Sequence, residues 1–125
     1  MMRSALTALV LGCLSQTVFA ADILYFSCPA LDKSADDLLV VIDQPNGKAS
    51  LQSEKSGSGL NFTSSASFGP KQVTWRSDSR SYPQKFSLDR VTLTLRRETS
   101  SGMTGTVYEE TSPCSMVKSP GNTKF

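Results

Sequence analysis

Once the first twenty residues are set aside, Cys28 and Cys114 are the only cysteines left, and they stand near opposite ends of the remaining chain. The segment set aside has the layout of a secretory leader. Arg3 precedes an apolar run from Ala5 to Leu14, polar Ser15-Gln16-Thr17 follows, and Val18-Phe19-Ala20 ends on the small residue a signal peptidase accepts. The run is too short to span a membrane. Residues 1–20 are therefore expected to be a signal peptide, and 21–125 a single exported domain, periplasmic or secreted. In an oxidising compartment two thiols normally become a disulfide. A Cys28–Cys114 bridge then requires a fold that brings its first and last segments together. Val10-Leu11-Gly12-Cys13 also resembles a bacterial lipobox, so lipid anchoring through Cys13 is the minor alternative.

The segments to be brought together read as strands. Val73 and Trp75 alternate with Gln72, Thr74 and Arg76, while Phe86 and Leu88 alternate with Lys85, Ser87 and Asp89. Val91, Leu93 and Leu95 alternate with Thr92, Thr94 and Arg96, and the same period runs from Met103 to Glu110. A two-residue period separates an apolar from a polar face only on an extended chain. Leu24, Phe26 and Cys28 share one face of an early strand, and Leu38–Ile42 is apolar on both faces.

Turn chemistry falls between these runs. Gln44-Pro45-Asn46-Gly47 links Leu38–Asp43 to Lys48–Gln52 as a hairpin, with Pro pre-setting one dihedral and Asn-Gly accepting positive φ. Phe68-Gly69-Pro70-Lys71 breaks the chain before the Trp75 strand, Asp89-Arg90 leaves room for only a tight connection, and Ser100-Ser101-Gly102 turns into Met103–Glu110. Residues 53–67 are rich in Ser and Gly and read as a connection. Ser34-Ala35-Asp36-Asp37 has an N-cap serine and first-turn acids, enough for one short helical turn. The fold class expected is all-β: a small antiparallel meander, closed or nearly closed as a barrel, with one disulfide. Leu24, Phe26, Val40, Ile42, Val73, Trp75, Phe86, Leu88, Val91, Leu93, Leu95 and Val107 should point inward.

Composition narrows the function. Thirteen Lys and Arg face eleven Asp and Glu, interspersed, and only Arg3 lies in the leader. Nucleic-acid binding needs concentrated basic charge, so no such partner is expected. Arg96-Arg97, Asp36-Asp37 and Glu109-Glu110 read as solvated surface. Histidine is absent, which removes Ser-His-Asp and Cys-His nucleophiles, histidine acid–base couples and the common zinc sites. With Cys28 and Cys114 bridged, thiolate chemistry goes too. No catalytic residue, metal ligand or cofactor is expected, although two-carboxylate hydrolysis remains formally open.

One loop stands out. Ser56-Gly57-Ser58-Gly59-Leu60-Asn61-Phe62 combines two glycines, which allow tight geometry, with hydroxyls that could approach a partner. It lacks the Gly-Lys-Ser/Thr ending of a phosphate loop. Together with Tyr25-Phe26-Ser27-Cys28 and Val73-Thr74-Trp75, this loop resembles the membrane-bound and periplasmic inhibitors of C-type lysozyme. Those are small exported β-barrels whose serine loop enters the lysozyme cleft. The resemblance covers about half of the exported chain. It implies partner-binding roles for Ser56, Ser58 and Phe62, with Phe62 where the family carries tyrosine and Arg76-Ser77 where it tends to carry Lys-Gly. Phe86-Ser87-Leu88-Asp89-Arg90-Val91-Thr92 resembles short exported bacterial proteins of unknown function and implies no activity.

The expectation is a non-enzymatic exported binding protein, best read as an inhibitor of C-type lysozyme acting through its Ser/Gly loop. The partner could instead be another envelope protein. The alternative class is a barrel binding a small ligand or an envelope surface, with its site inside or at the mouth around Trp75.

Overall fold

The structure, a computed structural model, describes residues 23–56, 60–78 and 82–119. The leader, Cys13 and Ser58 lie outside the described residues. Nine antiparallel strands follow in order: β1 (Ile23–Ser27), β2 (Leu39–Asp43), β3 (Lys48–Gln52), β4 (Phe62–Phe68), β5 (Gln72–Ser77), β6 (Gln84–Asp89), β7 (Thr94–Ser100), β8 (Val107–Pro113) and β9 (Ser115–Val117). Each of β1 to β8 pairs with the next except at the end, where β8 gives way to β9, and β9 pairs with β1. The result is an all-β meander closed nearly into a barrel.

Two strands change partners and so turn the corners of this barrel. The first half of β4 pairs with β3 through Phe62 to Ser65, and its second half pairs with β5 through Ala66 to Phe68. The segment from Val107 to Val117 does the same around Cys114: β8 pairs with β7, β9 with β1. Cys114 is bonded to Cys28 with an S–S distance of 2.09 Å, across a sequence separation of 86 residues. The bridge therefore sits where the meander closes, as the spacing of the two cysteines requires.

Inside, the alternation holds along most strands. Phe26, Val40, Ile42, Leu51, Val73, Trp75, Phe86, Leu88 and Leu95 are all buried to 3% exposure or less. Trp75 and Phe86 are cross-strand partners whose rings stack at 5.6 Å, and Phe62 tilts onto Phe86 from β4 at 5.7 Å. The Pro45-Asn46-Gly47 hairpin forms as expected, with Gly47 at φ 65° and the Asp43 carboxylate accepting from the Asn46 backbone and side-chain amides.

Several expectations are corrected. β7 begins at Thr94, not Val91. The Asp89 carboxylate accepts from the N–H groups of Val91 and Thr92, both at 2.8 Å, and the Leu93 N–H donates to the Asp89 carbonyl. That turn leaves Val91 78% exposed and holds Leu93 at φ 58°, only partly buried. A left-handed leucine costs about 1–2 kcal/mol. The next turn is also longer than expected, because Gly105 at φ 74° and the Ser101–Thr106 backbone bonds extend it to Thr106. Val107 thus starts β8 instead of continuing a strand from Met103, and it is 58% exposed. Leu24 faces inward at register with Ile42 but is 36% exposed.

Residues 62–68 form a full strand inside what reads as a Ser-rich connection, since their inward positions Phe62, Ser64, Ala66 and Phe68 are small or half-buried. No helical turn forms at Ser34. The Asp32 carboxylate instead accepts from the Ser34 N–H and hydroxyl, and two consecutive turns run Asp32–Ala35 and Ala35–Leu38.

Arg97, expected at the surface, is buried. It occupies an inward position of β7, donating to Asp32 at 3.3 Å and to Glu110, its register partner on β8, at 3.1 Å. A buried guanidinium needs such anionic partners.

Candidate functional site

The β3–β4 connection is built on two side chains. The Asp37 carboxylate, just ahead of β2, accepts from Ser53 Oγ at 2.5 Å, from the Glu54 N–H at 2.9 Å and from the Lys55 N–H at 3.3 Å. Asn61, at the far side, accepts from the Ser53 N–H at 3.0 Å and donates to the Ser53 carbonyl at 2.7 Å. Ser53 Oγ in turn accepts from the Ser56 N–H at 3.1 Å. Leu60, 3% exposed, inserts into the core as the loop returns. Both ends of the connection are therefore tied to each other and to the barrel, although Ser and Gly dominate its composition.

Electrostatics reinforce the base. The Ser53 hydroxyl, followed by the Glu54 and Lys55 amides, holds the Asp37 carboxyl below its ordinary value. The carboxylate is thus charged throughout the neutral range and keeps its acceptor role. Lys55 pairs with exposed Asp36 at 2.8 Å, a surface contact of small energy.

Of the residues proposed from sequence to contact a partner, Ser56 lies on the clamped base and Ser58 falls outside the described residues. Phe62 is the first residue of β4, half-buried, its ring against Phe86. The roles of Asp37 and Asn61 in holding this loop were not read from sequence. Asp37 sits in an acidic pair that reads as solvated, and its partners lie 16 to 18 residues downstream. Asn61 is the one polar residue between two apolar ones at the loop's exit, which is a signal only in retrospect.

Among the described residues, three further depressions bear on function. On the outer face of β4 to β7 an open polar hollow of about 530 Å³ is lined by Ser65, Ser67, Thr74, Arg76, Lys85 and Arg96. Its arginines are paired, Arg76 with Asp78 and Arg96 with both Glu98 and Glu109. A second, of about 510 Å³, surrounds Arg97, Asp32 and Glu110. There both carboxylates bind one guanidinium, and hydrogen bonds from Ser34, then Arg97, hold Asp32 below its ordinary value. A carboxyl held ionised is a poor proton donor at neutral pH.

The third is apolar, about 240 Å³, and lies at one end of the barrel between Leu24, Phe68, Leu93 and Met116. Trp75 lines none of it. Trp75 and Phe86 instead contribute to the lining of the first hollow, where the indole, stacked on Phe86, is 3% exposed. Its Nε1 is buried without a hydrogen-bond partner, which costs about 1–3 kcal/mol. No helix among the described residues is long and apolar enough to cross a membrane. Compared with protein-family models, curated proteins and solved structures, the chain matches none.

Proposed function

We propose that this chain is an exported, non-enzymatic binding protein that inhibits a C-type lysozyme by placing the β3–β4 loop in the enzyme's cleft. The observation that carries the reading is the double clamp on Ser53, by Asp37 and by Asn61. A loop whose two ends are already fixed loses less conformational entropy on binding than a free one. The clamp thus supplies what an inserting loop needs, namely a rigid base under a tip of small, hydroxyl-bearing residues. In this reading Ser56 and Ser58 hydrogen-bond acidic groups of the cleft. Phe62 roots the loop in the core through Phe86 and adds apolar area at the rim. The protein acts in the periplasm or after secretion.

The test is a titration of purified protein into a C-type lysozyme turnover assay. Removing one partner of a buried polar contact costs about 1–3 kcal/mol, so Ser58→Ala is expected to weaken inhibition about tenfold or more. Thermal unfolding of this variant should match the parent. Absence of inhibition by the parent protein at micromolar concentrations removes the lysozyme reading.

A further inference from the structure

The apolar cavity at the end of the barrel opposite the clamped loop has an unusual origin. Among the described residues, the β2–β3, β4–β5 and β6–β7 turns lie at this end, together with the start of β1 and the end of β9. Leu24 and Met116 both occupy inward register positions: Leu24 is paired with buried Ile42, and Met116 with buried Phe26. Inward positions of a closed barrel are normally covered by the opposite wall. Here Leu24 is 36% exposed and Met116 is 56% exposed.

The reason is the partner change at Cys114. β8 pairs with β7, but β9 pairs only with β1 among the described residues, and on its other side the Cys114 N–H donates to the Leu93 carbonyl at 2.8 Å, so the Asp89–Leu93 turn stands there instead of a strand. The wall is therefore incomplete between β9 and that turn. Phe68, Val73, Leu88 and Leu93 line the space behind the gap.

Arg90 completes the lining. Its Nη1 donates to the Gly69 carbonyl at 2.6 Å, which holds the guanidinium at the rim. Among the described residues no carboxylate forms an ion pair with it: Oδ1 of the neighbouring Asp89 accepts from the amides of Val91 and Thr92. A fixed, unpaired guanidinium beside an apolar hole selects a ligand with an anionic head and an apolar tail. Size restricts the tail. At about 240 Å³ the cavity falls below the range of about 300–1,000 Å³ that holds drug-sized ligands, so it suits a small tail such as a single alkyl chain.

We propose that this opening is a binding site for a free, single-chain amphiphilic anion of the fatty-acid class, with its tail between Leu24, Leu93 and Met116 and its carboxylate on Arg90. The site lies at the other end of the barrel from the loop and is independent of the lysozyme reading.

Dodecanoate and dodecyltrimethylammonium, both below their micellar concentrations, are titrated calorimetrically into the purified protein. Saturable binding of one dodecanoate per chain is expected, with the cation at least about tenfold weaker. Arg90→Gln, which keeps a donor for Gly69, should abolish that preference. Met116→Glu, a change at an exposed position, should weaken dodecanoate by about tenfold or more. Thermal unfolding verifies that each variant is folded, and the anion–cation comparison on the parent decides the matter if Arg90→Gln is not. The proposal is overturned by absence of saturable dodecanoate binding, by equal affinity for the cation, or by an unchanged affinity in folded Met116→Glu. Binding to phosphatidylglycerol vesicles without binding of free dodecanoate overturns it as well.

Discussion

The two ends of the barrel are finished differently. At one end the connection from Cys28 to Leu38 folds back over the opening. It buries Leu31 and Ala35, ties Ala30 to Ser112 through a hydrogen bond, and joins Asp32 to Arg97. At the other end the connections among the described residues are tight turns, and Leu24 and Met116 stay in contact with solvent. The interior pattern is the same at both ends. What differs is connection length: a long connection can insert a plug and satisfy its own backbone, whereas a four-residue turn cannot reach across. Closure of the wall and closure of the ends are therefore separate problems, and this fold solves the second only once.

The largest effect expected on that contrast comes from the bridge, which anchors the plug where the wall closes. Replacing Cys28 and Cys114 by serine releases a loop of 86 residues' separation, worth about 4–5 kcal/mol in the chain-entropy model. The denaturant midpoint should fall accordingly, with the covered end opening first in hydrogen exchange at Leu31 to Leu38. Equal protection lost at both ends would break the distinction.

Next in size are paired truncations. Leu31→Ala removes a side chain that is 2% exposed and should cost about 3 kcal/mol, whereas Leu24→Ala at the open end should cost about 1 kcal/mol or less. Chemical denaturation of both variants measures the difference, and similar costs would mean the open end is covered in solution.

The smallest effect is the response to acid. Asp32 and Asp37 at the covered end, and Asp89 at the open end, are held below their ordinary value by hydrogen bonds: from Ser34 first, from Ser53 first and from Thr92 first. For a carboxyl depressed in the folded state, the stabilisation is complete above the unfolded value and is lost as pH falls through the folded one. Stability should thus hold through neutral pH and decline only below the ordinary aspartate value of 3.8. Asp32→Asn should flatten the acid limb of a stability-against-pH curve. An unchanged limb in Asp32→Asn would show that the covered end gains nothing from that charge.

Much of this was legible from residues alone, for a definite reason. Alternation is a local property of an extended chain, so strands such as Gln72–Ser77 and Gln84–Asp89 announce themselves, as do their inward members Trp75 and Phe86. Turn dipeptides act locally too, and the Asn46-Gly47 hairpin forms where its chemistry requires. Cys28 and Cys114, near opposite ends of a run of strands, name the closing pair without coordinates.

The tertiary structure decided whatever depends on residues far apart. The Ser-rich corner strand Phe62–Phe68 has only a broken apolar stripe, Phe62, Ala66 and Phe68 interrupted by Ser64, and its pairing with both β3 and β5 is what makes it a strand. Arg97 is buried because Asp32, 65 residues away, folds over it. Ser53 is clamped by Asp37 for the same kind of reason, and Leu24 and Met116 are exposed because β9 lacks a second neighbour. Local chain stiffness and side-chain alternation set which face of each strand points inward. Only the packing of distant segments determines whether anything stands in front of that face.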